Sequence, residues 1–297
     1  MFSKLSFIRF CIGSYLLAVI LSSCNNDLSS KDGLIPKDEE SSKFKDSELY
    51  NFSQPYLINL PPVLDEISGI AYYPKDTSVF AIVDEEALLY KIPLNDASNI
   101  QQWAFGKAGD YEDIILKDSI FYILVSNGTI KSLQFVGSDI KTAKYDFITG
   151  EKKSSNEFES MYVDSGNIVI LCKDCEADKK VKTSRFALNI AAAQFNEIQP
   201  LHNAAIASMI EDKKVALKAS AAAINPVTNQ LYVISAVNKT LYIFDAELNP
   251  VEFFELNPKI YKQPEGIAFT PEGDLIISNE VYLEGNPNLL VLKNKKK

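Results

Sequence analysis

The sequence predicts an all-β fold: a β-propeller with five blades. Three observations lead there. A short motif recurs as Ser68-Gly69-Ile70-Ala71, Glu112-Asp113-Ile114-Ile115, Glu159-Ser160-Met161-Tyr162, Ser220-Ala221-Ala222-Ala223 and Glu265-Gly266-Ile267-Ala268. The intervals are 44, 47, 61 and 45 residues, and propeller blades repeat every ~40–50 residues with four strands each. Every motif is followed by a short, almost wholly apolar run, the pattern of a buried strand. A spare strand pattern, Tyr56-Leu57-Ile58-Asn59-Leu60, precedes the first motif, and the last repeat runs out of chain before a fourth strand. The first feature supplies what the second lacks, so the N-terminal strand is expected to close the ring and remove an exposed sheet edge.

Ahead of the repeats, residues 1–23 stand apart. Lys4 and Arg9 form a basic region ahead of an apolar stretch over 10–21 that is short for a membrane span and has the order of an export signal. Leu21-Ser22-Ser23-Cys24 resembles the bacterial lipobox. The resemblance implies a signal peptide over 1–23, lipid on Cys24 and attachment to a membrane of the cell envelope. Asn25, where Asp would resemble an inner-membrane retention signal, points to the outer membrane rather than the inner. Residues 24–50 are rich in Ser, Lys, Asp and Glu. Such composition buries too little apolar surface to offset ordering entropy, so this segment is expected to be a flexible tether. The propeller domain is expected over 51–297.

Within the first repeat an inner strand over 69–73 leads through Pro74-Lys75-Asp76-Thr77 to strands at 79–83, 87–92 and 100–105. Proline presets φ and the residues beside it suit a turn. The second repeat reads as strands at 120–125, 129–135 and 141–148, and the third as strands at 168–172 and 184–190. The 61-residue interval follows, and its Ala-rich stretches at 188–193 and 201–210 leave room for a sixth, degenerate blade. The fourth repeat turns at Pro226-Val227-Thr228-Asn229, with strands at 231–235, 240–245 and 251–256. The fifth turns at Pro271-Glu272-Gly273-Asp274, with strands at 275–278 and 288–293.

A net charge of −9 argues against nucleic acid as a partner, which requires a basic footprint. The basic run at 293–297 reads as a solvated terminus. Of four cysteines, Cys11 leaves with the signal and Cys24 is the anchor. Cys172 and Cys175 remain, and in an exported chain they suit a small structural disulfide, with free thiols as the alternative. No helix start is visible beside them to activate a thiol, and one histidine is too few for a usual zinc site. His202 would have to serve any Ser-His-Asp triad, and no nucleophile elbow, phosphate loop or His-Glu-x-x-His pattern is present. The aromatic residues, Trp103 included, fall mostly in strands and read as packing.

The first strand of a blade lines the central channel, so the motif starts should form a ring at one mouth. Glu112, Glu159 and Glu265 occupy it with Ser68 and Ser220, and Glu66 projects nearby. The second strand runs back to the same face, bringing Asp84, Glu85, Asn127, Lys173, Asp174, Asn279 and Glu280. Clustered carboxylates need a cation, raised pKa values or a basic partner. Oxygen ligands suit a hard cation, calcium above all, with Glu112, Glu159 and Glu265 as the expected metal ligands. Two other readings stand beside this: glutamates that accept backbone N–H bonds as a structural device, and catalytic carboxylates.

Asp65-Glu66-Ile67-Ser68-Gly69-Ile70-Ala71, Phe80-Ala81-Ile82-Val83-Asp84-Glu85, Gln263-Pro264-Glu265-Gly266-Ile267-Ala268 and Ile277-Ser278-Asn279-Glu280 together resemble the SdiA-regulated family of bacterial β-propellers. The likeness runs over roughly 56–292 and implies an envelope-associated propeller without naming a reaction. Glu265-Gly266-Ile267-Ala268 is also similar to the Glu-Gly-Pro start of gluconolactonase and strictosidine-synthase-like propellers, which would make Glu265 a metal ligand. Ser220-Ala221-Ala222 stands where that group carries an amide ligand, a departure that argues against a lactonase. The expected function is therefore a non-catalytic binding or scaffold module on the bacterial envelope. Its mouth would take a small molecule, a glycan or a protein segment. The alternative is a metal-dependent hydrolase of an ester, lactone or phosphoester.

Overall fold

The computed structural model describes residues 32–296 except 38, 40–42, 138, 148–155, 211–215, 282 and 284. The expected signal peptide and the lipobox-like segment ending at Cys24 lie outside the described residues. Among the described residues no helix is long and apolar enough to cross a membrane.

Alternating apolar strands fold into five antiparallel sheets, one per repeat. The first blade is Ile67–Tyr73, Ser78–Val83, Leu88–Pro93 and Gln101–Ala104, ordered from the channel outward. The second is Tyr111–Lys117, Ile120–Val125, Ile130–Val136 and Asp139–Tyr145. The third is Glu157–Asp164, Asn167–Asp174, Lys182–Asn189 and Gln194–His202, and the fourth Ala221–Ile224, Leu231–Ser235, Thr240–Phe244 and Pro250–Glu255. The fifth has Pro264–Phe269, Leu275–Asn279 and Asn288–Leu292, and takes its fourth strand from the N-terminal side, Tyr56–Asn59. Registers Tyr56↔Val291 through Asn59↔Asn288 close the ring as expected. Each inner strand contacts the next, and the fifth contacts the first.

The chain has five blades, and the sixth is absent among the described residues. The 61-residue interval is filled instead by long strands, an outer strand at Gln194–His202, and a helix, Asn203–Ile210. The Ala-rich run near 190 is a hairpin turn, with Ala193 at φ 50°. The second Ala-rich stretch is that helix, which contacts blades three and four and buries Ile206 between them. Alanine favours helix, so composition alone does not separate a short packed helix from a degraded strand.

The boundary of the tether also moves. Gly33–Leu34 pairs with the closing strand as a fifth strand of the last blade, and Ile35 is buried. Tyr50 and Phe52 are buried as well. The Tyr50 hydroxyl donates to the Gly273 carbonyl at 2.6 Å and accepts from Asn225 Nδ2 at 2.8 Å, pinning the segment across the turns of blades four and five. Tyr261 donates to the Phe52 carbonyl at 3.0 Å. Two aromatic side chains bury enough area to hold a polar segment down, at ~2–3 kcal/mol each. Overall composition hid them among charged neighbours.

The core consists of five apolar clusters, each shared by two adjacent blades. Phe80 of blade one lies 4.4 Å from Phe121 of blade two, and Trp103 stacks on Phe80 at 6.1 Å. Inter-blade packing thus replaces the two-layer core of a sandwich, and the channel lies between the inner strands.

Candidate functional site

Along each inner strand the channel-facing residues form successive rings of five. The first is Ser68, Glu112, Glu159, Ser220 and Glu265, and all five line a mouth cavity of ≈ 400 Å³. Two residues on come Ile70, Ile114, Met161, Ala222 and Ile267, all at most 5% exposed. Two further on are Tyr72, Leu116, Val163, Ile224 and Phe269, which line the opposite end of the channel. Side chains alternate along a strand with period two, so the mouth is polar and its floor apolar.

The mouth ring owes its aim to backbone irregularity. Register passes from Tyr111↔Val125 to Asp113↔Leu124, from Phe158↔Cys172 to Ser160↔Leu171, and from Pro264↔Asn279 to Gly266↔Ser278. Glu112, Glu159 and Glu265 are the unpaired residues of these β-bulges, and a similar shift falls between Ile67 and Ile70. A bulge adds a residue without a ladder partner and turns its side chain out of the pleat. Small residues beside the bulges let the strands converge. A Cβ on Gly266 would meet Ser278 Oγ at 2.3 Å and the Ser68 carbonyl at 2.7 Å, and one on Gly69 would meet the Asp113 Cα at 2.5 Å.

Asp113 follows Glu112 but faces away from the mouth. Its Oδ1 accepts from the Ile114 N–H and its Oδ2 from the Met161 N–H, each at 2.7 Å, tying blade two to blade three. Burial pushes its carboxyl well above the ordinary range. The two serines of the ring are structural: Ser68 donates to the Tyr111 carbonyl at 2.9 Å, and Ser220 accepts from the Ala236 N–H at 3.3 Å.

Of the residues expected at the mouth, Glu66, Asp84, Glu112, Asn127, Glu159, Glu265 and Glu280 line the cavity. Glu85 and Asn279 do not line it; Asn279 is fully buried, its amide donating to the Ile260 carbonyl at 3.0 Å and to Asn288 Oδ1 at 2.9 Å. Asp174 is outside and pairs with Lys218. Lys173 reaches in from behind the cavity, pairing with Glu159 and lying 3.7 Å from Glu157. Cys172 and Cys175 are joined in a disulfide that closes the loop carrying Lys173. His202 ends the outer strand of blade three and does not line the mouth.

Three mouth residues were missed: Asp110, Asn156 and Glu157. Asp110 and Glu157 stand two residues before their motif glutamates, as Glu66 stands two before Ser68. That offset, applied to every repeat, would have found both. Asp110 also pairs with Ser126 across the rim.

Among the described residues eight carboxylates therefore line this cavity: Glu66, Asp84, Asp110, Glu112, Glu157, Glu159, Glu265 and Glu280. Burial, reinforced by Glu159, Asp110 and Asp84, pushes Glu112 up to about 9. Burial and then Glu159 and Glu280 raise Glu265 to about 8. Burial and then Asp110 raise Asp84 to about 7. Glu159 also rises to about 7 through burial, which Lys173 offsets only in part. One oxygen each from Asp84, Asp110 and Glu112 lies within 4.8 Å of the others. Asp84 Oδ1 is buried with no hydrogen-bond partner among the described residues. The carboxylates that come closest thus share Glu112 with the metal set expected from the repeat, and bring Asp84 and Asp110 rather than Glu159 and Glu265. Glu159 is taken up by Lys173, whereas Asp84 and Asp110 converge on Glu112 from the neighbouring strand end and rim.

A model of the SdiA-regulated family matches residues 54–291, and the chain belongs to that family. No curated protein matches the sequence. Among solved structures, glutaminyl cyclase from Myxococcus xanthus is similar with a TM-score of 0.54 at 11% identity, over 80% of this chain and 94% of that one. A luciferin-regenerating enzyme is similar with a TM-score of 0.53 at 11% identity, over 80% of this chain and 95% of that one. At such identity the likeness is one of fold.

Proposed function

We propose that this member of the SdiA-regulated family is an envelope-anchored binding module whose mouth holds a divalent cation, calcium in the first instance. The observation that carries the reading is the convergence of Asp84, Asp110 and Glu112 on one point, with a buried Asp84 oxygen left without a partner. Like charges at this separation cannot all ionise without compensation. A hard cation accepting six to eight oxygens, from these groups and neighbouring amides, hydroxyls or water, supplies it. A bound cation would then present open coordination positions to oxygen-rich ligands, which suits capture of a small molecule, glycan or protein segment.

Calorimetric titration of the full chain with calcium at pH 7.5 tests this. One saturable ion is expected, with binding weakened at pH 5.5, where protons compete for the raised carboxylates, and abolished by Asp84→Asn together with Glu112→Gln. No heat with calcium, magnesium, manganese or zinc would overturn it.

One observation favours a second reading, a metal-dependent hydrolase. Glu265, outside that trio and raised to about 8 by burial and then by Glu159 and Glu280, holds its proton near neutrality in the same cavity, as a general acid must. Ester, lactone or phosphoester turnover lost in Glu265→Gln with cation binding intact would establish it. Anchoring follows the lipobox: residues 1–23 are removed and Cys24 carries lipid at the outer membrane. Fatty-acid labelling that survives Cys24→Ala would refute that anchor.

A further inference from the structure

A second cavity of ≈ 600 Å³ lies where the closing strand meets the first blade. It opens at the Tyr56–Val291 end of the last blade, whereas Glu280 reaches the acidic mouth from the other end, next to the Asn59–Asn288 pair. Its floor is apolar and includes Leu34, Tyr56, Leu94 and Val291. Leu34 and Tyr56 are register partners and are 63% and 45% exposed, so two large apolar side chains stand side by side at its edge. Lys293 and Lys295 also line it, and no Asp or Glu among the described residues does, in a chain of net charge −9. Lys295 Nζ is held by neutral acceptors, the Ser47 carbonyl at 2.5 Å and Asn51 Oδ1 at 3.4 Å. Lys293 is 76% exposed and shares its charge with Asp274 at 2.9 Å, keeping donors toward solvent.

Concave, apolar cavities of a few hundred Å³ with a small number of placed polar groups are the usual form of a small-molecule site. We propose that this groove binds a single-chain anionic amphiphile, a long-chain fatty carboxylate, with its chain on the apolar floor and its head between Lys293 and Lys295. Two cations lining an apolar trough match one head and one chain. A flat bilayer would meet the rim lysines and leave the floor empty. Such a ligand would bridge the closing strand and blade one, so it would staple the ring shut.

The test titrates the full chain with laurate below its micelle concentration and follows heat and the thermal midpoint together. Saturable binding and a raised midpoint are expected. Dodecyltrimethylammonium, with the same chain and opposite charge, should bind about tenfold or more weakly. Leu34→Glu should weaken laurate by about tenfold or more. Asn95→Glu, at an exposed turn on the far wall and away from the edge strand, should do the same with an unchanged ligand-free midpoint. Equal affinity for both amphiphiles, laurate binding unmoved by both variants, or binding to anionic vesicles without binding to laurate would each overturn the proposal.

Discussion

The two ends of the central channel are built by the same five strands and differ completely in chemistry. At one end Glu112, Glu159 and Glu265 look into a cavity lined by eight carboxylates among the described residues. Four residues along the same strands, Leu116, Val163 and Phe269 line the other end with apolar surface. Between them Ile70, Ile114, Met161, Ala222 and Ile267 form a buried ring. Stability and site are thus separated by only two residues of strand, ~7 Å. The apolar rings repeat because every blade must pack against two others. The polar ring is tolerated because the bulges lift it out of that packing, where its groups reach solvent or Lys173.

The severest way to break this comparison is to move the mouth's chemistry one ring inward. Ile114→Asp places a carboxylate in the buried ring, two residues below Glu112, and is expected to cost about 4 kcal/mol or more in chemical unfolding. A cost near 1 kcal/mol would mean the buried ring is wet. Next in size is the geometry that aims the ring. Gly266→Ala puts a methyl against Ser278 Oγ and the Ser68 carbonyl, and about 2–3 kcal/mol should be lost. Unchanged stability there would show that the bulge can relax.

Acidity sharpens the contrast without a mutation. Glu112, Glu265, Asp84 and Glu159 have folded pKa values of about 9, 8, 7 and 7, above their ordinary values of 4.5, 4.5, 3.8 and 4.5. Between those limits the folded state holds more protons than the unfolded one, so stability declines as pH rises. It is fully retained below about 4 and the loss is complete above about 9. The thermal midpoint should fall by roughly 5 °C or more from pH 5 to pH 9, and calcium should restore much of it at pH 9. A midpoint that rises with pH over this range would show that the carboxylates are already compensated. The smallest effect expected is a gain. Glu112→Gln spares the folded state from having to protonate a buried carboxyl and should raise stability by about 1 kcal/mol at pH 8 in chelator, while weakening the protection by calcium. A loss of stability in chelator would assign Glu112 a structural role instead.

Much of the architecture was legible because strand, turn and repeat are local signals. The Pro-containing turns after Tyr73, Ile224 and Thr270 and the apolar second strands stood out, and so did the spare strand at Tyr56–Asn59. Other features had no local signal. Tyr50 reads as one aromatic in a polar stretch until Gly273 and Asn225 are brought to it, more than 170 residues away. The Ala-rich stretch around 203–210 reads as strand or helix until blades three and four leave room for one short helix. At the mouth, the motif start located Glu112, Glu159 and Glu265, but the closest carboxylate set joins Glu112 to Asp84 and Asp110 from two other segments.

By itself, then, the sequence determined the repeat, the number of strands per blade, the closing strand and the acidic character of one mouth. These rest on periodicity and turn chemistry, which neighbouring residues impose on one another. Tertiary structure alone decided which carboxylates converge, that Lys173 is spent on Glu159, that Asp113 turns inward to tie two blades, and that the N-terminal segment straps the far end. Each of these depends on through-space distances of a few ångströms between segments far apart in the chain. Electrostatic and hydrogen-bond energies change steeply over such distances, whereas sequence spacing carries no measure of them.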